Sequence, residues 1–412
     1  MKKLVFVIGL IIFYSLQLNA QWIQSNGPYY NNLLISPSAI TFNGSDIFTG
    51  TIQAGSIFKT SDNGGNWTLT NTGVTSSYIN TLVCSNGVLL AGTDYGIFRS
   101  TNNGYEWYPS NIGLTRLFVT TLTANENNIF AGTSNGIYLS ADNGINWNPI
   151  NSDMYEVQIT GILNIGDSLF AATLSDGVYI STDLGYSWFI SNSGLNDPNL
   201  MGLTRVGENI FVASRYVGVF KSTDKGLNWS VSNNGLPSEL YPRIIISFDS
   251  LLFLGAGSGV FMSDDQALNW INITPGLANT VAEVLGANND TLYVGPYQGG
   301  VWKRSITNIL TDVKKNFNEV PDKFSLYQNY PNPFNPSTKI SWQSPVSSWQ
   351  TLKIYDVLGN EVATLVDEFR NAGSYEIEFS PSSFKHHTSS GVYFYRLQAG
   401  EYVETRKMIL LK

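Results

Sequence analysis

Six tryptophans recur at positions 67, 107, 147, 188, 229 and 270, spaced by 40, 40, 41, 41 and 41 residues. Each closes the same phrase. Gly55-Ser-Ile-Phe-Lys-Thr-Ser-Asp-Asn-Gly-Gly-Asn-Trp67 is matched by Gly96 to Trp107, Gly136 to Trp147, Gly177 to Trp188, Gly218 to Trp229 and Gly259 to Trp270. One such unit is too short to bury its own apolar face, so neighbouring units must stack and share a core. Inside one unit, Ile79 to Cys84 alternates as a strand and Ser85-Asn86-Gly87 turns it. Val88 to Gly92 and Ile97 to Ser100 follow, separated by Asp94-Tyr95-Gly96, and Trp107 opens a fourth strand after Asn102-Asn103-Gly104. Gly and Asn at these turns suit tight antiparallel connections.

Four short strands per unit of about 40 residues predict an all-β chain built as a β-propeller. The ends predict seven blades. Gly300-Val301-Trp302-Lys303-Arg304-Ser305 repeats the third-strand pattern with no Asp-Trp turn after it. At the other end Trp22-Ile-Gln-Ser-Asn-Gly27 matches the fourth-strand pattern of Trp188 to Gly194. Each end carries what the other lacks, so the N-terminal strand is expected to complete the last blade and remove an exposed sheet edge.

Composition narrows function by exclusion. Charged residues are 13% and the net charge is -8, which leaves little to neutralise phosphates, so nucleic acid is not expected as a partner. One Cys and two adjacent His, His386 and His387, predict no disulfide framework, no metal centre and no cofactor. Lys2-Lys3, the apolar run Leu4 to Phe13 and Ala20 have the layout of a secretory signal peptide over residues 1–20. No transmembrane span is expected after its cleavage. Residues 21–305 then form the propeller, 306–322 a polar linker, and 323–412 a small β-sandwich of alternating strands.

The turn before each Trp reads Ser/Thr-x-Asp-x-Gly-x-x-Trp, with Asp62, Asp142, Asp183, Asp224 and Asp265, and Asn102 in the second copy; Ala267 replaces the Gly of the last. The carboxylate can accept N–H bonds across its own turn. This pattern resembles the Asp-box (BNR) repeat of sialidase-like propellers, and similar repeats occur in xyloglucanase-like hydrolases and photosystem assembly factors. The resemblance implies a structural hairpin away from any active centre. Sialidases use three Arg, a Tyr–Glu pair and an Asp acid, and their Arg-Ile-Pro motif is absent. Arg99 and Arg304 are read as sharing one strand position with Lys59 and Lys221. Asp94, Glu156, Asp176, Asp197, Glu239 and Glu283 are the carboxylates that can reach a ligand face, and a glycosidase needs two of them roughly 5–10 Å apart.

The last 90 residues or so resemble the sorting domain of type IX secretion cargo, an Ig-like β-sandwich. The matching residues are Tyr330-Pro-Asn-Pro-Phe-Asn-Pro336, Ile354-Tyr-Asp-Val-Leu-Gly359, Gly391-Val-Tyr-Phe394 and Lys407-Met-Ile-Leu-Leu-Lys412. The resemblance implies delivery outside the cell, or to the surface, of a Gram-negative bacterium, with the type IX machinery as a partner.

Two functions follow as expectations. The first is a non-catalytic module that binds a glycan or a surface protein; the alternative is a secreted glycoside hydrolase, sialidase-like or xyloglucanase-like. Catalytic residues are not assigned. The Asp-box turns are uniform, whereas the turns between second and third strands vary, and variable loops on a rigid scaffold are where binding resides. Tyr95, Arg215, Tyr216, Tyr241 and Tyr297 are the candidate ligand residues, with Tyr29, Tyr30, Tyr78, Tyr155 and Arg243 added by the connections.

Overall fold

The computed structural model describes residues 22–52, 55–150, 154, 156–318, 321, 323–380 and 390–411. The expected signal peptide, Tyr155 and the His386-His387 pair lie outside these residues. The chain divides into two compact units, Met1–Ile309 and Leu310–Lys412. Almost every element is a strand.

Among the described residues the first unit holds seven four-stranded antiparallel sheets and one short hairpin, Tyr29–Tyr30 with Leu33–Leu34. We number the sheets by their first strands: Pro37–Asn43, Ile79–Ser85, Val119–Ala124, Ile159–Ile165, Leu200–Val206, Pro242–Phe248 and Ala282–Asn288. Sheet 2 is typical, running Ile79–Ser85, Val88–Thr93, Gly96–Ser100 and Tyr108–Pro109 in sequence order. Sheet 7 breaks sequence order: its fourth strand is Ile23–Gln24, paired Ile23 to Lys303 and Gln24 to Trp302.

Each first strand lies against the first strand of the next sheet, and Ala282–Asn288 returns to Pro37–Asn43. Second strands are buried almost throughout, because a sheet packs on each face. The cores therefore sit between sheets. Phe48 and Ile57 of sheet 1 join Leu89, Phe98 and Trp107 of sheet 2, and Ile47 of sheet 1 joins Tyr293 and Val301 of sheet 7. Burying these aromatics at about 25 cal/mol per Å² is what the period-two alternation of the strands achieves.

The stretch expected as a linker begins as a helix, Ile306–Asn318. Its start is capped: the Ser305 hydroxyl accepts from Asn308 N at 3.1 Å, and the Asp290 carboxylate accepts from Thr307 N at 2.8 Å. Ile306 and Ile309, one turn apart, are buried in the first unit. The polar residues among them hid this spacing.

The second unit has a three-stranded sheet, Ser325–Leu326, Thr338–Ser344 and Gly373–Phe379, and a four-stranded one ordered Glu361–Arg370, Ser348–Tyr355, Gly391–Ala399, Tyr402–Leu410. Residues of both sheets, among them Trp342, Leu352, Phe379, Tyr395 and Met408, share one core. The Pro-rich segment lies parallel to the end of the terminal strand, with Phe334 N donating to Ile409 O at 2.9 Å and Leu411 N to Phe334 O at 3.0 Å.

Candidate functional site

The six turns that precede the recurring tryptophans are closed on themselves. Asp62 Oδ1 accepts from the Thr60 hydroxyl at 2.7 Å and from Asn66 N at 2.8 Å, while Oδ2 takes the Asn66 side chain at 2.7 Å. Asp142, Asp183, Asp224 and Asp265 repeat the set with their own Ser and their own Asn or Ser. The second copy exchanges the roles: Asn102 accepts from Glu106 N at 3.0 Å, and its amide donates to the Glu106 carboxylate at 3.3 Å. Charge moves four residues along while the turn survives. Asn66 N above all, then the Thr60 hydroxyl, hold the Asp62 carboxyl at about 2. The Ser187 hydroxyl does so for Asp183 and the Asn228 amide for Asp224, each again to about 2. These oxygens are committed to the hairpin and leave little for a ligand.

On the opposite end of the sheets, each turn between second and third strands is tied to an incoming connection. Gly96 N donates to Leu117 O, Arg215 N to Asn199 O, Gly257 N to Tyr241 O and Tyr297 N to Val281 O, at 2.7 to 2.9 Å. Turns and connections therefore make one face. Tyr95, Tyr216, Tyr241 and Tyr297 stand on it, from 41% exposed for Tyr297 to 63% for Tyr95. The Arg215 guanidinium lies 5.7 Å from the Tyr216 ring centroid, a cation–π pair. Tyr216, Tyr241 and Tyr297 belong to sheets 5, 6 and 7; Tyr95 stands apart on sheet 2.

The candidate carboxylates separate. Asp197 is buried and takes the Ser214 hydroxyl at 2.5 Å, Tyr216 N at 3.1 Å and Asn199 N at 3.0 Å, so it positions the Arg215–Tyr216 turn. Asp94 accepts the Ser76 hydroxyl. Glu283 alone of the six lines the space enclosed by the seven first strands, a channel of about 320 Å³, where it faces Arg243 at 3.8 Å. The partner of Arg99 in the repeat is Lys303, not Arg304, because Lys303 pairs with Ile23 and reaches Asn63 O at 2.6 Å, as Arg99 reaches Asn143 O at 2.8 Å. Cys84 is half-buried, and burial pushes its thiol up, which keeps it protonated.

Sequence reasoning missed a feature on the side of the Asp-containing turns. The residue after the box Gly, or after Ala267, is Tyr105, Ile145, Tyr186, Leu227 or Leu268 in five copies, all exposed, with Tyr186 at 84%. Aligning the repeats on that Gly gives the signal directly. Of the residues lining the channel, sequence reasoning named Arg243 and Glu283 and missed the others, since no shared residue type marks them.

Comparisons agree with this geometry. A family model described as a secretion system C-terminal sorting domain matches residues 328–411. A search of curated proteins found no match. Among solved structures, YCF48 from Cyanidioschyzon merolae superposes with a TM-score of 0.56 at 15% identity, over 70% of this chain and 100% of its own. The WD40 beta propeller domain of Doa1 gives 0.56 at 13%, over 69% and 97%. PorZ, an essential bacterial surface component of the type-IX secretion system of Porphyromonas gingivalis, gives 0.52 at 13%, over 90% of this chain and 59% of its own. At such identities the likeness is one of fold, and the fold is that of β-propellers. The C-terminal unit carries a secretion sorting domain, so the protein is secreted or held at the cell surface. Among the described residues no helix is long and apolar enough to cross a membrane.

Proposed function

We propose that residues 21–305 form a seven-bladed Asp-box β-propeller and that 323–412 form an Ig-like sorting domain, exported by the type IX machinery of a Gram-negative bacterium after removal of residues 1–20. On this reading the propeller is a non-catalytic binding module. The observation that carries it is the contrast between the two ends of the sheets. Asp-box side chains spend their polar atoms on their own turns. Tyr216, Tyr241 and Tyr297 keep exposed rings on turns pinned through their backbones. A fixed backbone with exposed amphipathic rings binds a partner at low entropic cost.

A hydrolase reading needs a second carboxylate beside Glu283. Arg243 stands there instead, at 3.8 Å. The test is a glycan and peptide array probed with the exported full-length protein, alongside a reducing-sugar assay. Tyr216→Ala with Tyr297→Ala should weaken the ligand found by roughly tenfold or more while the melting temperature holds. Asp142→Ala should lower the melting temperature and spare binding. The reverse pattern, or sugar release by the wild type, contradicts the proposal.

A further inference from the structure

Every first strand of the seven sheets carries a β-bulge after its first residue, with register jumps such as Ile79 to Thr81, Ile159 to Gly161 and Ala282 to Val284. A bulge frees one residue from the ladder and re-aims it. All seven freed residues line the channel. They fall into two groups. In sheets 1 to 3, Ser38, Asn80 and Thr120 each donate to a backbone carbonyl of the next sheet, at Ile79, Val119 and Ile159. That half of the wall is sewn to itself.

The stitching stops at sheet 4. The Thr160 hydroxyl is buried with no hydrogen-bond partner among the described residues. Met201 in sheet 5 has no donor to offer. Arg243 and Glu283 in sheets 6 and 7 face each other at 3.8 Å, beyond hydrogen-bond reach. The same half is hollowed at one position. Gly161 and Gly202 follow the bulges of sheets 4 and 5, where sheets 2 and 3 have Thr81 and Thr121. Neither glycine has a positive φ; a Cβ on Gly161 would lie 2.9 Å from Leu203 Cδ2 and 3.1 Å from Gly202 Cα, so Gly161 lets sheet 5 approach, whereas a Cβ on Gly202 would meet nothing within 4 Å. No backbone demand accounts for Gly202; its effect is to leave room.

We infer that the channel wall from sheet 4 to sheet 7 is a subsite for the terminal residue of a neutral saccharide, an inference that rests on the binding reading above. The chemistry selects the class. The described lining holds one guanidinium and one carboxylate, so its formal charge is zero. A sugar hydroxyl both donates and accepts, so two adjacent hydroxyls bridge the gap by accepting from Arg243 and donating to Glu283. Tyr241, two residues before Arg243, presents an exposed ring for the face of the next sugar. An acidic sugar gains from Arg243 but sets its carboxylate beside Glu283, a like-charge contact that works against binding.

The test uses the full-length exported protein and calorimetry with cellotriose, mannotriose and xylotriose as neutral probes and trigalacturonate as the acidic one. At least one neutral trisaccharide should bind, and trigalacturonate should bind roughly tenfold more weakly. Gly202→Leu, which fills the hollow, should abolish neutral binding with the melting temperature held; Arg243→Met should weaken it by roughly tenfold. Glu283→Gln should strengthen trigalacturonate by several-fold, since the wall becomes net positive. The inference is overturned if no neutral probe binds, if trigalacturonate binds as well as the best of them, or if Gly202→Leu and Arg243→Met both leave binding intact. A peptide ligand sensitive to Tyr216→Ala with Tyr297→Ala, but not to Gly202→Leu, also overturns it while the binding face itself survives.

Discussion

The indole N–H of Trp22 donates to the carbonyl oxygen of Ile273 at 2.7 Å, across 251 residues of chain. The same bond recurs around the first unit: Trp107 to Thr70 O at 2.8 Å, Trp147 to Ser110 O at 2.9 Å, Trp188 to Ile150 O at 2.7 Å, Trp229 to Ser191 O at 2.9 Å and Trp270 to Ser232 O at 2.8 Å. Trp67 reaches the Ser25 hydroxyl at 3.2 Å. Each indole thus hooks its sheet to the one before, at the residue three beyond the preceding tryptophan. Trp22 joins sheet 7 to sheet 6, and Trp67 joins sheet 1 to sheet 7.

Trp22→Ala removes a side chain that is 4% exposed and leaves a cavity between two sheets. The expected cost is about 3–5 kcal/mol in urea unfolding. Trp22→Phe keeps most of the apolar area but leaves the Ile273 carbonyl with only the long bond from Arg304 at 3.5 Å, for about 1–2 kcal/mol. Wild-type stability in Trp22→Ala would show that this indole holds nothing together.

Acid should weaken the fold in a defined window. Asp62, Asp183 and Asp224 have folded values of about 2 because hydrogen bonds favour their charged forms. Unfolded carboxyls of this type titrate near ~3.9. The folded value is the lower one, so the contribution is present above roughly pH 4 and is lost as pH falls towards 2. The melting temperature should be level from neutral pH to about 5 and drop below about 4. Asp183→Asn should lower it at neutral pH and flatten the acid slope. A slope unchanged by that substitution contradicts the assignment.

Two glycines with positive φ should respond differently to alanine. Gly166 has φ +59 and nothing within 4 Å of a built Cβ, so Gly166→Ala should cost only about 1–2 kcal/mol of backbone strain. Gly194 has φ +81, and its Cβ would lie 2.0 Å from the Trp229 carbonyl oxygen. Gly194→Ala must displace backbone that leads into a Trp hook, and should lower the melting temperature several-fold more. Equal effects would mean that the fourth strand yields freely there.

Export is expected to depend on the terminal strand. Tyr402–Leu410 pairs along its length with Gly391–Ala399 and is bracketed at its end by Phe334. Deleting residues 401–412 exposes the edge of Gly391–Ala399 and should leave the protein in the periplasm with its first unit folded. Phe334→Ala, at a residue 1% exposed, should cost the second unit about 3–5 kcal/mol. Normal surface delivery of the truncation contradicts the type IX reading.

The tryptophan spacing already implied stacked four-stranded units, because a recurring Gly and Asn turn and a recurring Trp each mark a fixed place in the unit. The split motif at Trp22 and Trp302 announced the pairing of the two ends in the same way. The channel was not legible. Its bulge residues include Ser, Asn, Thr, Met, Arg and Glu, and only the ladder register places them at equivalent positions. The helix Ile306–Asn318 was legible but missed: Ile306, Ile309, Leu310, Val313 and Phe317 recur at helical spacing, and the polar residues between them led to the reading as a linker. In the sequence Asn102 shows only as a missing Asp; the hydrogen bonds show charge and amide trading places with Glu106.

Ring closure by the N-terminal strand is the claim on which the fold, and with it the binding face, depends. Ile23 is the register partner of Lys303. A disulfide between Ile23→Cys and Lys303→Cys, in a Cys84→Ser background, is therefore the direct measurement. Oxidation of the folded protein should give an intramolecular cross-link between these positions, seen as one joined peptide by mass spectrometry, with the melting temperature raised. Free thiols at both positions after oxidation, or cross-links between chains only, would contradict the closed ring.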